Sequence, residues 1–342
     1  MDANFPRFEI TGATVGDLQA IRQLAQHLNT VNLPNDAQAL GELLARSERS
    51  FARAISAVQE REYVFLLRDR QSGRALGTSM VIGQLGRRNA PYIYFAVRRE
   101  EKYSATLDRH FVHTILDTTY SYAGPTELGG LVMDPDYRGR RERFGTLISF
   151  VRLLFVRMRR ADFQDQLLAE LLPPFRDNGE SALWEAVGRR FTGLSYAEAD
   201  RLSRRNKEFI RGLFPDSIYA TLLDPEAQRL IGQVGPKTVG VEKLLSRIGF
   251  RYAERVDPFD GGPHFTAPTD QVSIVAGASS LATASPSIFN SPVLVAVQLE
   301  CPPFFRAAPL TPGWRPTGVD RQHIAHALGA IDVADVWVMP LR

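Results

Sequence analysis

The feature that most constrains this chain is a change of hydrophobic period between residues 127 and 159. Residues 127–134, Glu-Leu-Gly-Gly-Leu-Val-Met-Asp, form a short apolar run halted by Pro135, which predicts a buried strand. Residues 143–159 place Phe144, Leu147, Ile148, Val151, Leu154, Phe155 and Met158 in one stripe at helical spacing. Between them lies a turn carrying Arg138, Arg140, Arg141 and Arg143, with Gly145 just beyond. A strand that feeds directly into a helix exposes the first amides of that helix, and the positive end of its dipole favours an anion. Arginines there add charge-assisted bonds to phosphate oxygens. Taken alone, the same run reads rather as a solvated charged turn. It has neither the Gly-Lys-Ser/Thr of a P-loop nor a complete Gly-x-Gly-x-x-Gly.

Composition narrows the partners. The chain has 342 residues and a formal net charge of only +3, too mild for a nucleic-acid binder, so any role of basic residues is local. No aromatic residues interleave a basic face. The single cysteine, Cys301, excludes an intramolecular disulfide framework and a Cys-rich metal site, and no metal is expected. No apolar run approaches the roughly 20 residues that span a bilayer, and the N-terminus lacks a signal-peptide pattern. The expectation is a soluble, cytoplasmic protein without membrane or nucleic-acid partners.

Strand patterns at 8–10, 63–69, 75–85, 91–98, 166–171 and 250–256 alternate with helical patterns at 16–29, 38–57, 107–116 and 238–248, the last closed by Gly249. The stretch 70–73 reads as a hairpin turn. Residues 179–231 read as helical and loop-rich. The Ala/Ser/Gly-rich stretch 276–292 reads as a linker, followed by strand-like 292–300, 304–307 and 335–341. The predicted class is α+β, helices layered on a mixed sheet, with domains at 1–275 (helical insertion about 173–235) and 276–342, the latter small and β-rich.

The strand, arginine turn and amphipathic helix together resemble the acyl-coenzyme A motif of the GNAT acyltransferase superfamily. In that superfamily the sheet is mostly antiparallel and flanked by helices. Longer segments resemble the arginine N-succinyltransferase family: Met133-Asp-Pro-Asp-Tyr-Arg138, Asn178-Gly-Glu-Ser-Ala-Leu-Trp184, Tyr196-Ala-Glu-Ala-Asp200, Glu226-Ala-Gln-Arg-Leu-Ile-Gly232-Gln-Val234, Gly249-Phe-Arg-Tyr252 and Phe259-Asp-Gly-Gly-Pro263. The resemblance is strongest across 125–270. It implies transfer of a succinyl group from succinyl-coenzyme A to the α-amine of arginine, the entry step of arginine catabolism, with no metal. It also implies that Leu131, Arg138, Arg140, Phe144, Gly145 and Thr146 hold the coenzyme. The partners it implies are a small-molecule amine and further subunits, either copies of this chain or a related chain.

Three positions depart from the family. The histidine that serves there as proton donor is Gly235 here, Arg143 stands at the cradle's middle glycine, and Leu172-Pro173 replaces Arg-Gly. For proton transfer, two other residues on family motifs come into question. His264 is either catalytic or an ordinary loop histidine. Glu170 is a water-assisted base, a holder of the substrate's cation, or a paired core carboxylate. Glu180 and Asp200 are the matched-motif carboxylates for a guanidinium. Trp184 and Phe191 read as core, Asp134 as a turn-former, and His27, His110, His113, His323 and His326 as structural. Two function classes follow: an acyltransferase for arginine or a related amine such as ornithine, and a non-catalytic homologue or partner subunit that keeps the fold, favoured by Gly235.

Overall fold

A computed structural model describes residues 6–27, 33–34, 36–203, 205–310 and 318–341. The chain forms two compact units, residues 1–84, 126–165 and 268–342 in the first, and 85–125 with 166–267 in the second.

In the first unit the strand order is Ser279–Ser280, Trp337–Pro340, Val293–Gln298, Phe305–Leu310, Phe8–Gly12, Glu62–Asp69, Ala75–Ile82, Thr126–Met133. Each of these neighbours pairs antiparallel. The run Tyr63–Leu67 is apolar throughout because both of its faces are covered. Val64 and Leu66 pack with Ile21 and Leu24 of helix Leu18–Ala25 and Leu40 and Leu44 of helix Ala37–Phe51. Tyr63 and Phe65 meet Phe155 of helix Phe144–Met158, ring centroids 4.9 and 5.4 Å apart. The hairpin between Glu62–Asp69 and Ala75–Ile82 turns at Gly73, φ 71°.

The second unit orders its strands Gln166–Glu170, Pro263–Pro268, Arg251–Val256, Tyr92–Ser104, Arg109–Ser121, Ser217–Tyr219. Short helices from Ala182–Ala186 to Pro225–Leu230 cover it, with Val239–Arg247 beyond them. Their core gathers on Trp184, whose ring stacks on Phe259 at 5.0 Å. Trp184 is core as the sequence suggested, whereas Phe191 is exposed.

Four expectations change. Residues 107–116 are not helical: Arg109–Ser121 is a strand in continuous register with Tyr92–Ser104, from Tyr92↔Ser121 to Ser104↔Arg109. Val112, Thr114, Ile115, Thr118 and Thr119 are β-branched, and a long antiparallel partner decides between the two periods. His110 and His113 therefore lie on a strand. Residues 276–292 are not a linker, since Leu281, Ala284 and Phe289 are buried with Val293, Val295, Ile324 and Val338. Nor does a domain begin at 276: Phe305–Leu310 pairs with Phe8–Gly12, which joins the C-terminal strands to the N-terminal ones. The helix expected at 38–57 stops at Phe51, and 28–29 of the first helical pattern lie outside the described residues. Among the described residues no helix is long and apolar enough to cross a membrane.

Candidate functional site

In the first unit, strand Thr126–Met133 carries a bulge. Met80 faces Gly129 and Thr78 faces Val132, so two residues, Gly130 and Leu131, oppose the single Ser79. Gly130 sits at φ 55°, which a Cβ would strain and which would also drive that Cβ to 2.8 Å from the Met80 side chain. The Gly129 carbonyl accepts from Arg152 Nη1 at 3.2 Å. Arg152 is fully buried in a helix stripe that otherwise reads apolar, and burial pushes its guanidinium down to about 9, an effect Glu127 opposes.

The turn that follows is braced by its own charges. Asp134 accepts the Asp136 amide at 3.0 Å and an Arg74 guanidinium N–H at 2.7 Å, which makes it a turn-former. Arg138 donates to the Met133 carbonyl at 3.1 and 3.3 Å, and Arg140 to the Asp136 carbonyl at 3.0 Å while lying 4.3 Å over the Tyr137 ring. Arg143, at the position of a family glycine, adopts φ 53°, ψ 45°, the left-handed conformation a glycine would take. Helix Phe144–Met158 then begins. The Thr146 amide donates back to the Arg143 carbonyl at 2.8 Å, so of the three amides expected to face a ligand, those of Phe144 and Gly145 are the first-turn donors left by the helix itself. The Phe144 ring is buried 4.7 Å from Phe8, so that residue offers only its backbone. A Cβ on Gly145 would meet nothing closer than 3.9 Å, so packing does not demand glycine there.

The second unit brings Glu170 and His264 together. Glu170 ends its strand partly exposed, and its Oε1 lies 3.4 Å from His264 Nε2. His264 is a fully buried strand residue, not the loop residue the sequence implied. Its Nδ1 is 2.9 Å from the Tyr92 hydroxyl. Burial pushes the imidazole down to about 3, with Arg255 and Lys207 adding repulsion, so it is neutral at physiological pH. Asp257 also faces this cluster, its ligand atom within 4.8 Å of those of Glu170 and His264. Burial raises its carboxyl, and raises that of Asp260 further, with Asp257 and Asp200 contributing. Asp260 accepts the Gly262 amide at 2.8 Å in the Phe259-Asp-Gly-Gly-Pro263 turn. Asp200 therefore belongs electrostatically to this group. Glu180 is instead engaged with Arg176, 3.9 Å away, which also binds Glu226 at 2.6 Å.

Gly235 is closed. Its amide donates to the Leu172 carbonyl at 2.8 Å, and a Cβ would stand 2.5 Å from the Pro173 carbonyl oxygen. Two of the three departures from the family are therefore one structural change, because the backbone at 172–173 fills the space a side chain at 235 would need. Tyr92, Arg255, Asp257 and Arg152 escaped sequence reasoning. For Tyr92 a signal existed, the Tyr-x-Tyr spacing that puts Tyr92 and Tyr94 on one strand face.

The model of a known family, arginine N-succinyltransferase beta subunit, matches residues 8–274. An arginine N-succinyltransferase of Yersinia enterocolitica is 34% identical over 267 residues, 77% of this chain and 76% of its own length. An arginine N-succinyltransferase subunit beta of Pseudomonas aeruginosa is 32% identical over 275 residues, 79% of each. The solved structure of an arginine/ornithine succinyltransferase subunit AI from Pseudomonas aeruginosa aligns with a TM-score of 0.81 at 29% identity, covering 98% of this chain and 99% of that one. With a bulged strand, a left-handed turn and a helix N-terminus at the residues the family motif occupies, the chain belongs to the arginine N-succinyltransferase family of acyltransferases.

Proposed function

We propose that the chain transfers a succinyl group from succinyl-coenzyme A to the α-amine of arginine. The observation that carries this reading is the route from the Gly130–Leu131 bulge through left-handed Arg143 to the amides of Phe144 and Gly145, in a chain matched to the family across 8–274. Those two amides, with Arg138 and Arg140 around them, suit the coenzyme's pyrophosphate, and the Leu131 backbone at the bulge suits the thioester end. The amine nitrogen attacks the thioester carbonyl, a C–N bond forms, the C–S bond breaks, and the proton shed by the amine is balanced by one taken up by the thiolate. Glu170, with His264 3.4 Å away, is the proton-handling group in this reading. Asp257 and Asp260, whose carboxyls are held above the usual range, with Asp200, favour a cationic substrate, because a cation there would stabilise their charged forms. Relatives named as subunits favour assembly with further chains.

Incubation with succinyl-coenzyme A and either arginine or ornithine, read by mass spectrometry, tests the reading. It expects a succinylated amino acid. Absence of product with both would refute it and leave the second reading, a non-catalytic partner subunit, which the closed Gly235 position favours.

A further inference from the structure

We propose that Tyr92 and Arg255 are positioning residues that fix the direction of a hydrogen-bond chain, Arg255 to Tyr92 to His264 to Glu170, and that Glu170, not His264, takes the amine proton. This rests on the acyltransferase reading above.

The argument is a count of donors. Arg255 lies opposite Ala96, with its guanidinium 4.5 Å over the Tyr94 ring, and its charge bears on the neighbouring Tyr92 hydroxyl. A guanidinium only donates, so towards the phenol oxygen it can take up a lone pair but cannot accept the hydroxyl proton. Tyr92 is buried, and its own O–H needs an acceptor. His264 Nδ1, at 2.9 Å, is that acceptor. An accepting Nδ1 places the proton of a neutral imidazole on Nε2. The reverse direction would set two donors against Tyr92 and leave its hydroxyl proton without that acceptor.

Nε2 is itself buried and makes no hydrogen bond of ordinary geometry, and Glu170 Oε1 stands 3.4 Å away. Glu170 Oε1 is near enough that the pair needs realignment, not approach, to bond as the site fills, and catalytic hydrogen bonds commonly tighten in the working complex. The groups that bear on the ring's charge are Arg255 and Lys207, which disfavour imidazolium, and Glu170 and Asp257, which face it, with Tyr92 and Tyr94 alongside. With one nitrogen spent on Tyr92 and the other protonated, His264 has no lone pair for a substrate proton. Glu170, at the strand end and partly exposed, does. The closed position at Gly235 fits a family member whose proton handling lies elsewhere.

The test compares His264→Gln, which keeps an N–H donor, with His264→Ala, which does not. His264→Gln should keep kcat within about tenfold of wild type, and His264→Ala should lose roughly 10²-fold, the lower range for positioned acid–base groups. Equal loss in both would make the histidine the base and overturn the proposal. Tyr92→Phe should lower kcat at unchanged KM for arginine and move the acid limb of the pH–rate profile upward, because Glu170 loses its donor. An unmoved profile removes Tyr92 from the chain. Nitrogen-15 NMR of the histidine-labelled full chain, with the His264 signal assigned through His264→Gln, needs no activity. A protonated Nε2 with a bare Nδ1 supports the proposal, and a protonated Nδ1 overturns it even if no amine is succinylated.

Discussion

Acid should unfold this protein partly through His264. Its folded-state value is about 3 against an ordinary 6.5, because burial and the nearby Arg255 and Lys207 penalise the imidazolium. The unfolded chain binds that proton below pH 6.5 and the folded chain does not until near pH 3. The contribution is therefore fully present above 6.5 and is lost progressively as pH falls towards 3. At about 1.36 kcal/mol per pH unit, going from near pH 8 to pH 5.5 removes about 1.4 kcal/mol through this group alone. This figure depends little on the lower value, since at pH 5.5 the folded ring stays neutral whether it titrates at 3 or at 4. Urea denaturation of wild type and His264→Gln at the two pH values isolates the effect, because the other titrating groups cancel in the difference. Trp184, buried in the same unit, contributes to the fluorescence signal. The wild-type advantage or deficit relative to His264→Gln should shift by about 1.4 kcal/mol against the wild type at the lower pH. A difference that stays constant between the two would mean that the ring is charged or hydrated in the folded protein, and would refute the reasoning.

Other outcomes follow from the same geometry. Gly235→Ala puts a methyl 2.5 Å from the Pro173 carbonyl, and overpacking of this kind should cost roughly 1–3 kcal/mol by chemical denaturation; an unchanged midpoint would show the position to be open. Arg143→Gly should be more stable than Arg143→Ala by about 1 kcal/mol, because only the glycine is free of the left-handed penalty at φ 53°. Equal thermal midpoints would argue against that conformation. Arg140→Ala removes one guanidinium from the turn and should weaken coenzyme A binding roughly tenfold, the worth of one charge-assisted bond, in a calorimetric titration. An unchanged dissociation constant would exclude Arg140 from the coenzyme cradle.

Local order was legible in the sequence and non-local pairing was not. The strand at 127–134, the arginine turn and the helix stripe from Phe144 to Met158 are contiguous, so their periods state their structure directly. The hairpin at 62–82 was equally plain from its apolar run and Gly73. Residues 109–121 misled because their apolar spacing fits a helix until thirteen residues of partner strand are supplied. Pairing of Phe305–Leu310 with Phe8–Gly12 spans nearly the whole chain, and nothing in the Ala/Ser-rich 276–292 stretch hints at it. At the site, Glu170 and His264 were visible one at a time on separate motifs, but their 3.4 Å approach and the Tyr92 contact depend on strands distant in sequence. Glu180 lay on a matched motif and was chosen for that reason. Its engagement with Arg176 comes from a turn in which the Gly179 amide donates to the Arg176 carbonyl and the Arg176 amide to that of Glu180, a fold-back that the spacing alone does not state. Arg143 stands where the family motif has a glycine, and that its backbone takes the left-handed conformation was not legible from the residue type.

The central claim is that acyl transfer proceeds here with proton handling at Glu170, although position 235 has no histidine. Thiol release from succinyl-coenzyme A on addition of arginine, measured for wild type and Glu170→Gln in parallel, tests it most directly. The account predicts arginine-dependent release by the wild type and a loss of roughly 10²-fold or more in Glu170→Gln, with coenzyme binding retained. Wild-type release that matches the enzyme-free rate, or a Glu170→Gln variant as fast as wild type, would contradict it.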